Sequence, residues 1–203
     1  VFETIAGQSA ILSFRIKNAG GSWEKKPLTI PIRDGQRQLW TAHPGADVVA
    51  LYLNLPAEAN FKPLSTDLLA NDAALTQLEV HPGDEVTCLG FPLQAQSNDV
   101  GFPVLRSGKI ASYPLLPTNS TKTFLMDFSV MPGNSGGPVF FVDTGRVYGG
   151  AVHLGQTNYM IVGLVVQERY IQERVSRVFL NLAVVVHASL IKDLITLMPE
   201  PAP

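Results

Sequence analysis

Short β-type runs recur from one end of the chain to the other, and this rhythm restricts the fold more than any other property of the sequence. "AILSFRI", "PLTIPI", "VVALYL", "EVTCLGF", "FPVLRSGKIAS", "TFLMDFSV", "GPVFFV", "YMIVGLVV" and "LAVVV" are separated by stretches rich in Gly, Pro, Asn and Asp. Such spacing predicts an all-β barrel or sandwich, because alternating βαβ units would place helical periodicity between the runs. Only the end departs from it. In "HASLIKDLITLM" the residues Leu190, Ile191, Leu194, Ile195 and Met198 recur at helical intervals, which predicts a C-terminal helix packing one face on the barrel. The closing "PEPAP" cannot extend that helix and reads as a tail or linker over 199–203.

Bulk properties narrow the partners. With 203 residues and 46% hydrophobic content the chain can bury one substantial core, or two that share an interface. A formal charge of −2 supplies no basic field, so no nucleic-acid partner is expected and a peptide or small ligand fits better. The most apolar stretch, Val178 to Ile191, is too short to span a bilayer, so no membrane partner is expected either. Cys88 is alone, which excludes an internal disulfide and every multi-cysteine metal site.

Chemistry concentrates in "VMPGNSGGPVFF", where Ser135 stands among glycines ahead of an apolar run. The G-x-S-x-G pattern serves two unrelated hydrolase architectures. In an α/β-hydrolase the serine sits on a strand-to-helix elbow, with acid and histidine following it. Asp143 and His153 do follow Ser135, but "GGPVFFV" does not open a helix. A glycine-rich hairpin turn is the plain alternative.

In its other use the segment "DFSVMPGNSGGPVFF" resembles the nucleophile loop of trypsin-like serine peptidases, in the bacterial style with Asn134 before the serine. "ADVVALYL" is similar to the strand bearing that family's triad aspartate. "GDEVTCLGFP" and "VLRSGKIAS" resemble the opening strands of its second barrel, and "IVGLVVQ" with "NLAVVVHASLI" its closing strands and terminal helix. The resemblance implies a chymotrypsin-like double β-barrel, with residues 1–70 as the remainder of a first barrel incomplete at its N-terminus and 71–198 as the second barrel plus helix. The "PAEANFKPLSTDLLANDAAL" segment, which breaks the strand rhythm, would hold the boundary.

The same resemblance assigns roles. Ser135 is the nucleophile, Asp47 the acid that orients a histidine, and the Gly133 and Ser135 N–H groups the oxyanion hole. Taken alone, Asp47 after "HPGA" would be an ordinary turn aspartate. Ser129, six residues before the nucleophile, would floor the primary specificity pocket; being uncharged, it favours small or apolar guests over Arg or Lys. Val165, Val166 and Gln167 would form the edge on which an extended peptide adds as a strand, leaving Asp143 to Tyr159 as a hairpin or loop insertion. Asn134 replaces the aspartate that in secreted relatives pairs with a freshly cut N-terminus, so that mode of activation is not expected. No metal or organic cofactor is implied.

The histidine does not fall where the family order requires it. His43 in "WTAHP" lies only four residues before Asp47 and reads as a solvated loop residue, while His81, His153 and His187 come in the wrong order. The spacing to Asp47 is satisfied by a position immediately before Val1, and the general base is expected there. Without a base a serine hydroxyl is a poor nucleophile, so two readings stand: a serine endopeptidase, or a protease-derived peptide-binding module. A regulatory domain or partner protein is a further expectation, with "QERYIQERVSR" as a candidate contact surface or a solvated charged loop.

Overall fold

In the computed structural model, which describes residues 7–56, 63–172 and 177–200, the chain begins with a long hairpin. Strand β1 (Ser9–Lys17) pairs antiparallel with β2 (Trp23–Pro31), and two much shorter pairs follow: β3 (Arg33–Asp34) with β4 (Arg37–Gln38), then β5 (Thr41–Ala42) with β6 (Val49–Ala50). Ile30, Ile32 and Trp40 are buried between them, with Leu12, Leu28, Val49, Leu51 and Leu53 packed around. "VVALYL" is therefore far shorter as a strand than its sequence predicts. Only Val49 and Ala50 pair, while Leu51 and Leu53 serve the apolar cluster without a ladder partner.

A 3-10 turn at Thr66–Leu68 and helix α1 (Asp72–Gln77) lead out of the first half. Asn71 caps α1 by accepting from the Ala74 N–H at 2.9 Å, and Leu75 anchors it in the core. This helix falls inside the segment whose broken rhythm marks the expected boundary; residues 57–62 of that segment lie outside the described residues.

The remaining strands close a barrel. They are β7 (Glu85–Gly90), β8 (Val104–Ile110), β9 (Thr123–Asp127), β10 (Pro138–Tyr148), β11 (Ala151–Gln172) and β12 (Arg177–His187), arranged as β10-β11-β12-β9-β8-β7. Every pairing is antiparallel. Alternation fills the interior: Val86 and Cys88 from β7, Phe124 and Met126 from β9, Val139 and Phe141 from β10, and Val162, Val165 and Val185 from the closing strands. Each such side chain contributes roughly 1.5–3 kcal/mol on burial. Helix α2 (Ala188–Leu197) closes the molecule, as its periodicity predicts. Its Leu190 and Leu194 meet Val48 and Val186, so the helix clasps the β5–β6 hairpin onto the barrel.

The architecture is the all-β fold of the chymotrypsin type, with one closed barrel, a first half of paired hairpins and a terminal helix. Asp143 to Tyr159 is the hairpin of the two expected alternatives, extending β10 and β11 continuously, whereas Glu168 to Gln172 belong to β11, so that part of the charged run is strand and not loop. Glu173 and Arg174 lie outside the described residues.

Candidate active site

Between β9 and β10, residues 131–137 turn so tightly that most of their backbone donors find a partner within the turn or on β11. Asn134, 1% exposed, accepts the Met131 N–H on Oδ1 at 2.9 Å and returns its own N–H to the Met131 carbonyl at 3.0 Å. Gly136 N–H reaches the Val165 carbonyl at 2.7 Å, and Gly137 N–H the Asn134 carbonyl at 2.9 Å. Pro132 has no donor. That leaves two: the N–H groups of Gly133 and Ser135 have no acceptor among the described residues, and both residues are solvent-exposed. Gly133 has φ +98°, and a Cβ there would drive into the Phe91 carbonyl oxygen, so the turn can be made only with glycine.

Ser135 faces a cavity of about 560 Å³ between the two halves. Ala42, His43, Asp47 and Val49 line it from the β5–β6 hairpin, and Leu164, Val165 and Val166 from β11. The fold is that of one peptidase class, and the sequence agrees: the trypsin-like peptidase domain matches residues 20–149, more than half of the chain. The chain belongs to that family. No curated protein and no solved structure matches it.

Within this trypsin-like domain, β11 reaches the serine through a bulge. Val165 pairs with Val185 but Gln167 with Val184, so Val166 is the extra residue, and its carbonyl accepts the Ser135 hydroxyl at 3.1 Å. Val165 N–H donates to the Gly137 carbonyl at 3.0 Å, and its own carbonyl takes the Gly136 N–H. Both of its backbone groups are therefore engaged by the Ser135 loop, and Gln167, two residues on, is exposed.

Asp47 is exposed, held in a turn where the His43 N–H donates to the Val48 carbonyl at 3.0 Å. Among the described residues no hydrogen bond or ion pair holds its carboxylate. His43 differs from its reading as a solvated loop residue: it is half-buried, lines the cleft, and accepts the Gly45 N–H on Nδ1 at 3.0 Å. That bond occupies Nδ1, so the ring atom left to face other groups is Nε2.

Ser129 does not line the cleft. Its hydroxyl donates to Asn181 Oδ1 at 2.9 Å, and its carbonyl takes Arg106 Nη1 at 2.7 Å. Asp143 and His153, the pair an α/β-hydrolase would need, also lie elsewhere: Asp143 is bonded to Arg146, and His153 stacks on Tyr148 at 3.8 Å between centroids. With an all-β fold around Ser135, the α/β-hydrolase reading is overturned. His187 is buried at the N-cap of α2 beside Phe124. Burial lowers its pKa to about 4, against the pull of Asp72. Cys88 lies beneath the Ser135 loop, its thiol pushed up to about 11 by burial despite Arg106. Among the described residues no group of His, Cys, Asp and Glu is placed to hold a metal ion, and no helix is long and apolar enough to cross a membrane.

One element near the site carries no sequence signature of function. The Phe91–Gln94 turn packs directly on the nucleophile loop, and Pro92 at the start of its 3-10 turn was its only local mark.

Proposed function

We propose that this chain is a serine endopeptidase of the bacterial trypsin-like type, with Ser135 as nucleophile and the Gly133 and Ser135 N–H groups as its oxyanion hole. One observation carries the reading: between Met131 and Gly137 the other backbone donors are bonded and these two remain, on either side of Asn134. Ser135 Oγ attacks the scissile carbonyl and gives its proton to a general-base histidine, which the family resemblance puts ahead of Val1. Asp47, across the cleft, orients that imidazole and stabilises its charged form. The carbonyl oxygen, now anionic, accepts from both free amides, and each such donor typically supports about 10²–10³ in rate.

An extended peptide adds along Val166 and Gln167, and the apolar lining of Ala42, Leu164 and Val166 favours small or apolar side chains. Residues 1–70 and 71–198 act as the two units that enclose the cleft. Asn134, bonded within its own loop, replaces an N-terminal ion pair, so regulation comes through loops, a partner or an attached domain.

A second reading rests on the Ser135 hydroxyl donating to the Val166 carbonyl and not to an imidazole. In that case the cleft binds peptides without cleaving them. A fluorophosphonate probe separates the two. Labelling of the full-length protein that disappears in Ser135→Ala is the expected result; a folded full-length sample that takes up no probe favours the binding module.

A further inference from the structure

A peptide plane points its carbonyl and its N–H in opposite directions, so whatever grips the Pro132 carbonyl also aims the Gly133 N–H. The grip comes from the Phe91–Gln94 turn. Leu93 N–H donates to the Pro132 carbonyl at 2.7 Å, and Phe91 N–H donates to the Gly133 carbonyl at 3.0 Å. Turned over, the same peptide would put a carbonyl where the amide stands. The oxyanion hole would then be closed.

The turn that does this is itself in a sparsely populated conformation. Leu93 has φ 50° and Gln94 φ 66°, a region that residues other than Gly, Asn and Asp seldom occupy, and such a geometry persists where its surroundings impose it. The surroundings include the first hairpin. Arg15 of β1 lays its guanidinium over the Phe91 ring, 5.4 Å from the centroid. Its Nη1 is fixed on the Ser13 carbonyl at 2.6 Å, and its Nη2 donates to the Gly101 carbonyl in the loop that follows the turn. Trp23 of β2 adds an edge-on ring contact to Phe102 at 5.2 Å.

We infer that Arg15 and Leu93 are positioning residues for the oxyanion hole: the first hairpin, through Arg15 on Phe91, holds the turn whose Leu93 N–H keeps the Pro132–Gly133 peptide in its productive orientation. The inference rests on the reading of Ser135 as nucleophile. Neither residue touches the reacting atoms; both act through the turn.

The test is the backbone amide resonance of Gly133 in the full chain, read beside the rate of fluorophosphonate labelling. Wild type gives one Gly133 signal. In Arg15→Met, which keeps the aliphatic stem but removes the guanidinium, and in Leu93→Val, whose β-branch disfavours positive φ, the signal doubles. Labelling in both falls by the share of molecules in which the peptide is turned over, about twofold where the two signals are equal. Leu93→Asn, which tolerates that φ, keeps one signal and the wild-type rate, an outcome that a merely packing role for Leu93 would not produce. Should Arg15→Met fail to fold, Phe91→Leu removes the ring that the guanidinium covers and is expected to double the signal in the same way. A single, unmoved Gly133 signal in a folded Arg15→Met or Phe91→Leu protein overturns the inference. Absence of labelling in wild type would instead sink the reading of Ser135, while the Gly133 signal still decides the role of Arg15.

Discussion

At the scale of single residues, the nucleophile loop depends on atoms that are missing as much as on those present. Gly133→Ala would have to hold a Cβ against the Phe91 carbonyl at a φ of +98°, so the loop must distort. The expected outcome is a loss of more than about 1 kcal/mol in chemical denaturation, together with a fall in labelling of roughly 10²-fold or more; unchanged labelling would detach Gly133 from the oxyanion hole. His187 makes the opposite kind of prediction, one about protons. Its pKa is about 4 in the fold and near 6.5 when unfolded, so between those values the unfolded chain binds a proton that the folded chain refuses. Stability is therefore intact above pH 6.5 and declines as pH falls toward 4, by roughly 3 kcal/mol in all. Urea titrations at pH 7 and pH 4.5 check this, and His187→Phe should flatten much of the difference. In the sequence, Ser135, Gly133 and Asn134 were legible because a tight turn leaves a pattern of glycine and proline. His187 was not, because its burial is decided by Phe124 and by the start of α2, which are brought together only by the closed barrel.

At the scale of elements, one arginine ties three of them. Arg146 of β10 donates from Nε to the Leu78 carbonyl at 2.5 Å and from Nη2 to the Glu79 carbonyl at 2.7 Å, and it forms a two-pronged pair with Asp84 at 2.6 and 3.0 Å. The hydrogen bond to Asp84 is the main cause of its raised pKa, and both side chains are only 10% exposed. Arg146→Ala strands the Asp84 carboxylate and two carbonyls; the expected cost is about 3–5 kcal/mol by denaturation, with little change in labelling per folded molecule. A cost below 1 kcal/mol would mean that water replaces the arginine. Strand positions were readable from alternation, but strand lengths were not. β10 and β11 run on as a hairpin past the point where their apolar pattern ends, with exposed Val147, Val152 and Leu154 continuing the ladder where no core demands it. β6 stops early for the converse reason, since Leu51 and Leu53 bury themselves without a neighbouring strand.

At the scale of the molecule, the cleft exists because the β5–β6 hairpin is held against β11 and α2 by a small apolar cluster. Leu194, fully buried beneath Val48, is its centre. Leu194→Ala should cost about 2–5 kcal/mol and, by loosening the hairpin that carries Asp47, should slow labelling more than a core substitution of equal cost inside the barrel, such as Val139→Ala. Equal slowing by both would show that the cluster supplies stability alone. The chemistry of Asp47 and Ser135 could be suspected from sequence, yet their meeting across one cavity could not be read from spacing, nor could the approach of Arg15 to Phe91, because both depend on how the halves dock. The bulge at Val166 has a final consequence of that docking. It reaches Ser135 through a backbone carbonyl, which every amino acid possesses, so replacing the valine changes little of what the serine sees. Removing the residue is another matter: Val165 and Gln167 would become consecutive opposite Val185 and Val184, the bulge would be lost, and with it the carbonyl that accepts the Ser135 hydroxyl. Position 166 should thus be indifferent to spelling and intolerant of omission.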